Sequence, residues 1–314
     1  EGRLAEAEDH CRRALAINPQ LGAAWNNLGN VLAEQERVAE AASCYDRACE
    51  FDPRLAKQAE HNKLSGTLFN ILHSDRFSDA EVFERHQDWG RQLGCVPPEH
   101  GPLNWIPGEP IRVGYLSADF RSHAMRHYLE PLLAGHDPAR VEVICYMQNR
   151  VEDEYTARLM GYGHRWVRTH ELDDEQLIAQ IRADGIHILI DCLGHTQGTR
   201  ITALARKPAP IQMSYLGYLG STGLPAMDYR LTDAWLDPPE LTDDLHTETL
   251  LRVPGGSVAY MPHINSPDVN ELPALQLGHV TFGSLNKLKK LNLNVVRLWS
   301  EILHAAPKSR LLLK

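Results

Sequence analysis

The chain has 314 residues, a net charge of −9 at pH 7 and 43% hydrophobic residues. This is the composition of a globular protein with enough chain for about two domains. The acidic balance gives no basic surface for nucleic acid or for a membrane. Because the six cysteines form no C-x-x-C pair and the sequence shows neither a leader nor an apolar run of ~18 residues, we predict reduced thiols and a cytoplasmic location.

The first part of the chain repeats itself after 34 residues. Aligning Leu4–Pro19 with Val38–Pro53 matches Ala7 to Ala41 and Pro19 to Pro53. A 34-residue period is typical of tetratricopeptide repeats, so residues 1–75 are predicted to form a helical solenoid. Because Glu1 falls inside a repeat, we expect further repeats before it. A scaffold and a peptide-binding groove are equally compatible with this pattern.

A helical transition and a linker are predicted over residues 76–110. Ser78–Glu81 is a capping box that opens a helix towards Leu93. Between Gly94 and Pro110 the chain carries five prolines and two glycines. Such a segment is stiff and non-helical, which indicates a domain boundary.

From Arg112 onward, strand and helix patterns alternate, which predicts a mostly parallel sheet covered by helices. Strands are predicted at Arg112–Ser117, Val141–Met147, His187–Asp191, Ile211–Leu216, Tyr229–Thr232, Val280–Ser284 and Arg310–Leu313. Helices are predicted near Arg126–Ala134, Glu152–Met160, Glu175–Ala183, Arg200–Ala205 and Val295–Ala305. We therefore expect one α/β domain over residues 111–278 and the start of a second over residues 279–314, which breaks off at Lys314.

The loops that follow these strands hold the polar residues that could support chemistry. In open parallel sheets, ligands bind at the carboxyl ends of the strands, so these loops predict a cleft between the two α/β domains. The glycine-rich loop Gly217–Gly223 could bring its backbone close to a ligand. Neither a His/Cys ligand set nor a D-x-D pair occurs, so no metal is expected, and leaving-group charge would be met by lysines and backbone N–H groups.

His123 is the strongest candidate for proton transfer. It follows the first strand by a few residues and has Asp119 close in sequence. An imidazole there can accept a proton near neutral pH, although a helix-capping role is equally compatible with the sequence. His195 and Thr196, in the loop after the third predicted strand, could hydrogen-bond a sugar or a phosphate.

Several motifs, in order, resemble one family of enzymes. They are the repeats, Arg112-Val-Gly-Tyr-Leu-Ser-Ala-Asp-Phe-Arg-Ser-His123, Asp184-Gly-Ile-His-Ile-Leu-Ile-Asp191, Gly194-His-Thr-Gln-Gly198, Leu216-Gly-Tyr-Leu-Gly220 and Phe282-Gly-Ser-Leu-Asn286. Together they resemble the protein O-linked N-acetylglucosaminyltransferases, in particular bacterial homologues. The resemblance implies the GT-B architecture of two Rossmann-like domains. It also implies inverting, metal-independent transfer of GlcNAc from UDP-GlcNAc to Ser or Thr hydroxyls of protein acceptors.

The resemblance also implies roles for particular residues. His123 matches a histidine proposed as general base, Asp184 matches a rival base, and Lys290 matches the lysine that holds the diphosphate. The sugar side of the site is matched by His195, Thr196, Leu216, Gly217, Tyr218, Leu219 and Gly220, with Asn286 and Lys287 in the second domain. No cofactor is implied, and the partners are a UDP-sugar and protein or peptide acceptors, with neither nucleic acid nor membrane.

Three departures from the family pattern leave the substrates open. Leu219 stands where the family tends to have proline, Ser221-Thr222 is in reversed order, and Lys287 replaces an amide. The same fold with another donor or acceptor, as in O-fucosyl or N-glucosyl transfer, is one alternative. A tetratricopeptide adaptor with an inactive transferase domain is the other.

Overall fold

The structure is a computed structural model that describes residues 2–35, 37–55, 62–72, 74, 76–94, 103–263, 265–286 and 291–314. The chain divides into two compact units. The first comprises residues 1–72 and 78–261, and the second comprises residues 73–77 and 262–314.

Three helices form the repeat region: α1 (Gly2–Ile17), α2 (Gly22–Glu34) and α3 (Val38–Phe51). Their contact surface is built from small residues facing large ones. A Cβ atom at Gly29 would lie 2.5 Å from the Tyr45 ring, so glycine lets that ring pack against the backbone of α2. The helices share one hydrophobic core, as expected for the predicted helical solenoid.

The helical layer continues after the repeats in shorter pieces. The pieces are a 3₁₀ turn (Pro53–Leu55), a π-helical turn (Asn62–Gly66) and α4 (Thr67–Ile71). Residues 56–61 lie outside the described residues. Helix α5 (Asp79–Leu93) begins with the predicted capping box, in which Ser78 and Glu81 bond to each other's backbone N–H groups.

The sheet of the first unit contains seven described strands, all parallel to their neighbours. They are β1 (Ile111–Ser117), β2 (Val141–Met147), β3 (Arg165–Arg168), β4 (Ile188–Asp191), β5 (Ile211–Tyr215), β6 (Tyr229–Thr232) and β7 (Thr249–Arg252). Their order is β3-β2-β1-β4-β5-β6-β7. The chain therefore builds outward from β1 to one edge, returns to the centre at β4 and builds to the other edge, as in Rossmann folds.

The two edge strands, β3 and β7, are absent from the sequence-based prediction. Both have only four residues, and β3 begins and ends with an exposed arginine. An edge strand is covered on fewer sides than a central one, so it lacks the continuous apolar run by which the central strands are recognised. The five strands predicted for this sheet are confirmed to within a residue at their ends.

The described helices that accompany the sheet are α6 (Arg126–Ala134), α7 (Glu154–Met160), α8 (Asp174–Ala183) and α9 (Ile201–Leu204). One core cluster unites Val113, Tyr115, Phe120 and Leu129 with residues of β2 and β4. Because residues on both sides of the central strands are buried, the ends of these strands are held rigidly.

The second unit contains α10 (Pro273–Leu277), β8 (Thr281–Ser284), α11 (Leu293–Ala305) and β9 (Arg310–Leu313). Strands β8 and β9 pair in parallel, with α11 as their crossover. This is the β-α-β unit expected from the sequence. No helix among the described residues is long and apolar enough to cross a membrane.

Candidate active site

The order of the strands places a crevice between β1 and β4. From β1 the chain continues to β2 on one side, whereas β4 lies on the other side, so the connections that leave their carboxyl ends run in opposite directions. Ligands of open α/β sheets bind at such a switch point. The β1 loop (residues 118–125) and the β4 loop (residues 192–200) follow the strands at this switch point, so they form the candidate active site.

The β1 loop holds His123 at the surface. The Asp119 N–H donates to Ser117 Oγ over 3.1 Å, and the Ser122 N–H donates to Asp153 Oδ2 over 2.7 Å. Asp153 is also the N-cap of α7, so this loop is tied to a helix end at one point and to the end of β1 at another. Directly after the second of these fixed points, the His123 side chain remains 41% exposed.

His123 and Asp119 form a pair. The imidazole Nδ1 lies 3.3 Å from Asp119 Oδ1, and the Met125 N–H approaches the same nitrogen over 3.4 Å. The two contacts belong to different tautomers. An unprotonated Nδ1 accepts from Met125, whereas a protonated Nδ1 donates to the Asp119 carboxylate and leaves Nε2 as the basic nitrogen. Among the described residues, Nε2 has no hydrogen-bond partner. Burial raises the pKa of Asp119, an effect that the neighbouring His123 and Arg121 reduce.

The β4 loop packs directly on the β1 loop. A Cβ atom at Gly198, which has φ +84°, would lie 2.7 Å from the Cβ atom of Ala118. The turn itself is organised by Asp191, whose carboxylate accepts from the N–H groups of Leu193 and Gly194. Burial raises the pKa of Asp191 to about 7. The half-buried Thr196 hydroxyl donates to the Leu193 carbonyl oxygen over 2.7 Å.

His195 lies beneath this surface. Its side chain is buried, and its two ring nitrogens lie 3.1 Å from Ser65 Oγ and 2.8 Å from the Thr222 carbonyl oxygen. The Trp89 ring packs edge-on against it at 4.5 Å between centroids. With both nitrogens engaged inside the protein, His195 supports the loops from below, and its sugar contact stays a prediction.

The segment after β5 is a strained loop, defined here as the β5 loop (residues 216–223). Leu216 has φ +68°, a left-handed conformation that costs a leucine about 1–3 kcal/mol. A Cβ atom at Gly217 would lie 1.8 Å from the Cys192 carbonyl oxygen. The backbone after β5 therefore touches the backbone after β4, which places Leu216 and Gly217 beside the crevice.

In the rest of the β5 loop, residues 218–223, Leu219 alone is exposed. Tyr218 is buried, Leu219 is 58% exposed, and Gly220 lies against the Leu72 side chain. Farther along, Glu248 accepts from Ser221 Oγ over 2.7 Å and from the Thr222 N–H over 2.7 Å. Leu219 is thus presented by a loop that is fixed on both sides of it.

Asp184 lies at the other end of the sheet. It ends α8 and precedes β4, so the length of that strand separates it from the crevice. Its carboxylate accepts from Tyr146 Oη over 2.8 Å and pairs with Arg165 at 2.7 Å. The structure does not bring Asp184 together with His123, and its carboxylate has a structural role between α8 and the sheet.

The remaining predicted residues belong to the second unit. Asn286 is exposed, two residues after β8. Lys287 and Lys290 lie outside the described residues, so their roles stay predictions. Within the described part of the chain, no group of three or more His, Cys, Asp or Glu side chains is arranged to hold a metal ion.

Two buried groups that sequence analysis did not identify hold the β5 loop. His86 Nε2 lies 2.5 Å from Tyr218 Oη, and Arg230 donates to the Tyr218 carbonyl oxygen over 2.8 Å. His86 is 132 residues from Tyr218 in sequence. No local pattern signals a contact of that range, so only the fold reveals it.

The chain thus joins helical repeats to a Rossmann-type sheet with a histidine–carboxylate pair at its switch point, and comparison with known proteins shows that this is the architecture of a glycosyltransferase with a GT-B-like fold. The model of glycosyl transferase family 41 matches residues 96–266, and a tetratricopeptide repeat model matches residues 22–55. The chain belongs to glycosyltransferase family 41.

The relatives carry transferase names. The chain is 36% identical over 242 residues to the Arabidopsis thaliana protein SPINDLY, a probable UDP-N-acetylglucosamine–peptide N-acetylglucosaminyltransferase, covering 75% of the chain and 26% of the relative. It is 34% identical to the tomato (Solanum lycopersicum) SPINDLY over 79% of the chain and 27% of the relative. The chain thus spans about a quarter of the length of these curated relatives.

A solved structure agrees over nearly the whole chain. A mutant of the Thermobaculum terrenum O-GlcNAc transferase superposes with a TM-score of 0.82 at 32% identity, covering 99% of this chain and 58% of that one. The resemblance to O-GlcNAc transferases with tetratricopeptide repeats is confirmed.

Proposed function

We propose that this protein transfers N-acetylglucosamine from UDP-GlcNAc to Ser or Thr hydroxyls of proteins, with inversion and without a metal. The observation that carries the proposal is the His123–Asp119 pair, whose imidazole is exposed at the switch point of a family 41 fold. A base in this position can take a proton from an acceptor that approaches from solvent. Family membership and the names of the relatives support the donor and the peptide acceptor.

The reaction is a single displacement. The acceptor oxygen forms a bond to the anomeric carbon as the bond from that carbon to the UDP oxygen breaks, and UDP leaves with the electron pair. The hydroxyl proton goes to His123 Nε2 or to a phosphate oxygen of the donor. Asp119 stabilises the imidazolium that forms when His123 takes the proton. The resemblance assigns the charge of the leaving diphosphate to Lys290.

The β5 loop supplies the other part of the proposal. Gly217 and Leu219 are proposed to line the sugar, because the loop is rigid and its backbone meets the β4 loop at the crevice. Rigid positioning of the sugar ring favours attack in the correct geometry. His195 and Thr196 are proposed to shape this side of the site from below, and the repeats to bind protein acceptors.

The decisive experiment measures UDP release and peptide labelling by the full-length protein with UDP-GlcNAc and Ser/Thr peptides. Competition by UDP, UDP-glucose and GDP-fucose, together with an asparagine-containing peptide, tests the other donors and acceptors. EDTA is expected to leave the rate unchanged. A protein that neither binds UDP-GlcNAc nor releases UDP would contradict the proposal and favour the adaptor alternative.

Lys290 provides an independent test of the leaving-group assignment. Replacing Lys290 with alanine is expected to lower both donor affinity and turnover, because the same charge would meet the diphosphate in the ground state and in the transition state. Binding of UDP and the rate of UDP release measure the two effects. Wild-type values for both would remove Lys290 from the proposal.

A further inference from the structure

The β5 loop is suspended between two buried histidines that connect it to the helical part of the first unit. Near its start, Tyr218 Oη lies 2.5 Å from His86 Nε2, and His86 belongs to α5. Near its end, the Thr222 carbonyl oxygen lies 2.8 Å from His195 Nε2, and His195 Nδ1 lies 3.1 Å from Ser65 Oγ. Leu219, between the two attachments, is exposed to solvent.

The hydrogen bonds of His86 fix its tautomer. Its Nδ1 lies 2.6 Å from the Val82 carbonyl oxygen, which can only accept, so Nδ1 carries the proton. Its Nε2 is then an acceptor, and Tyr218 Oη–H is the donor. Burial lowers the pKa of His86 and raises that of Tyr218 well above the ordinary value, which agrees with a neutral imidazole beside a protonated phenol.

The same reasoning fixes His195. Its Nε2 faces the Thr222 carbonyl oxygen and must donate, so Nδ1 accepts from the Ser65 hydroxyl. Ser65 lies in the π-helical turn that precedes α4. A single imidazole therefore joins the layer after the repeats to the far end of the β5 loop.

The backbones around these bonds leave no room for adjustment. A Cβ atom at Gly90 would lie 1.9 Å from the Gly223 carbonyl oxygen, and one at Gly223 would lie 2.0 Å from the His86 carbonyl oxygen. Helix α5 thus rests directly on the loop. A displacement of α5 cannot be absorbed by side chains, so it must move the loop.

We propose that His86 and His195 are positioning residues: through Tyr218 and Thr222 they fix the β5 loop, so that the seating of α4 and α5 sets the affinity for the donor's sugar. This inference rests on the proposed function for its ligand. In this proposal the helices have a role in donor selection as well as in acceptor binding, because the β5 loop is bonded through His86 to α5 and through His195 to the turn before α4. Both histidines are buried, and in this proposal they act through the loop.

The test compares three variants of the full-length protein. In His86→Leu the acceptor for Tyr218 is lost, whereas in His86→Gln the amide oxygen can replace Nε2. Tyr218→Phe removes the donor instead. We expect His86→Leu and Tyr218→Phe to weaken UDP-GlcNAc binding about tenfold, the effect of one buried hydrogen bond, with UDP binding unchanged. His86→Gln is expected to stay within about threefold of wild type.

Tyr45→Phe is the matched control, since it removes a buried tyrosine hydroxyl in the repeat core, 3.1 Å from Asn30 Oδ1 and away from the loop. It is expected to bind UDP-GlcNAc as the wild type does. Equal weakening of UDP and UDP-GlcNAc in His86→Leu, or wild-type affinity in folded Tyr218→Phe, would overturn the proposal. A His86→Gln variant that binds UDP-GlcNAc as weakly as His86→Leu does would also overturn the proposal.

Hydrogen exchange separates this proposal from the proposed function. The amides of residues 216–222 are expected to exchange about tenfold faster in Tyr218→Phe than in wild type or Tyr45→Phe, without any ligand. A wild-type protein that does not bind UDP-GlcNAc would contradict the proposed function. Faster amide exchange in Tyr218→Phe would even then support the proposal that His86 and His195 fix the β5 loop. Unchanged exchange in Tyr218→Phe would overturn that proposal, whatever the donor is.

Discussion

Two histidines beside the same crevice have opposite environments. His123, on the β1 loop, is 41% exposed and uses only Nδ1, whereas His195, on the β4 loop, is buried with both nitrogens engaged. A nitrogen that is already hydrogen-bonded inside the protein cannot take a proton from a substrate without breaking that bond. A position at the carboxyl edge of the sheet is therefore not enough to identify a base, and the Nε2 that bonds to no described residue distinguishes the histidine proposed to react from the one that supports the loops.

The largest expected effect is on turnover in His123→Ala. Loss of a general base lowers kcat by about 100- to 10,000-fold, and UDP-GlcNAc affinity is expected to change by less than about threefold, because the imidazole acts on the acceptor proton. Steady-state kinetics and donor binding measure the two quantities.

His127→Ala is the control for this experiment. His127 lies four residues later and has both nitrogens engaged, by the Met261 carbonyl oxygen and by Arg126 Nε. Its replacement is expected to lower stability by about 1–3 kcal/mol while sparing turnover. Full activity in His123→Ala, or a greater loss in His127→Ala, would reverse the distinction between the two kinds of histidine.

The next largest effect is a loss of stability at the contact between the β5 loop and the backbone of α5. Gly223→Ala would force a Cβ atom to within 2.0 Å of the His86 carbonyl oxygen at φ +73°. We expect a loss of about 3 kcal/mol in the free energy of unfolding, from overpacking and backbone strain together. Urea denaturation followed by circular dichroism measures it.

Gly163→Ala separates the two causes. Gly163 has φ +79° but no atom within 4 Å of its Cβ position, so only the backbone strain remains. A loss of about 1 kcal/mol is expected there. Equal losses at the two positions would mean that α5 does not rest on the β5 loop as described.

The histidine proposed to react was easier to predict from the sequence than the residues that support the loops. Central strands such as β1 appear in the sequence as apolar runs, and His123 was a candidate because it lies a few residues after the end of β1. The edge strand β3, with arginines at both ends, carries no such run. The His86–Tyr218 contact joins residues 132 apart, and only packing of α5 on the sheet domain creates it. His195 followed the positional rule equally well and yet is buried, because α5 and Ser65 cover it.

A third effect depends on pH. The folded pKa of Asp191 is about 7, whereas an unfolded aspartate titrates near 3.9. Between about pH 4 and 7 the folded chain holds a proton that the unfolded chain has lost, so stability falls as pH rises through this window. Asp191→Asn is expected to remove that slope, a relative gain on the order of 2 kcal/mol between pH 5 and 7, whatever its cost at pH 5.

Asp233→Asn is the control for Asp191. Its carboxylate accepts four hydrogen bonds from the Trp235, Leu236 and Ser257 groups, which lower its pKa. A lowered pKa contributes stability above about pH 4 that is lost below it, so the slope between pH 5 and 7 should stay unchanged in this variant. Urea midpoints across pH 5–8 measure both. A wild-type slope in Asp191→Asn would mean that this carboxyl is ionised when folded.

The smallest effect on stability is expected at Leu219, an exposed residue on a loop that the buried histidines support. Its side chain is 58% exposed, although its neighbour Tyr218 is buried and hydrogen-bonded to His86. Leu219→Ala should therefore change the free energy of unfolding by less than about 0.5 kcal/mol. If Leu219 on the β5 loop contacts the sugar of the donor, its replacement changes the ratio of the affinities for UDP-GlcNAc and UDP although stability stays the same. If Leu219→Ala lowers the free energy of unfolding but leaves that affinity ratio unchanged, Leu219 supports the fold and does not contact the substrate. A side chain that contacts the substrate would change binding as well.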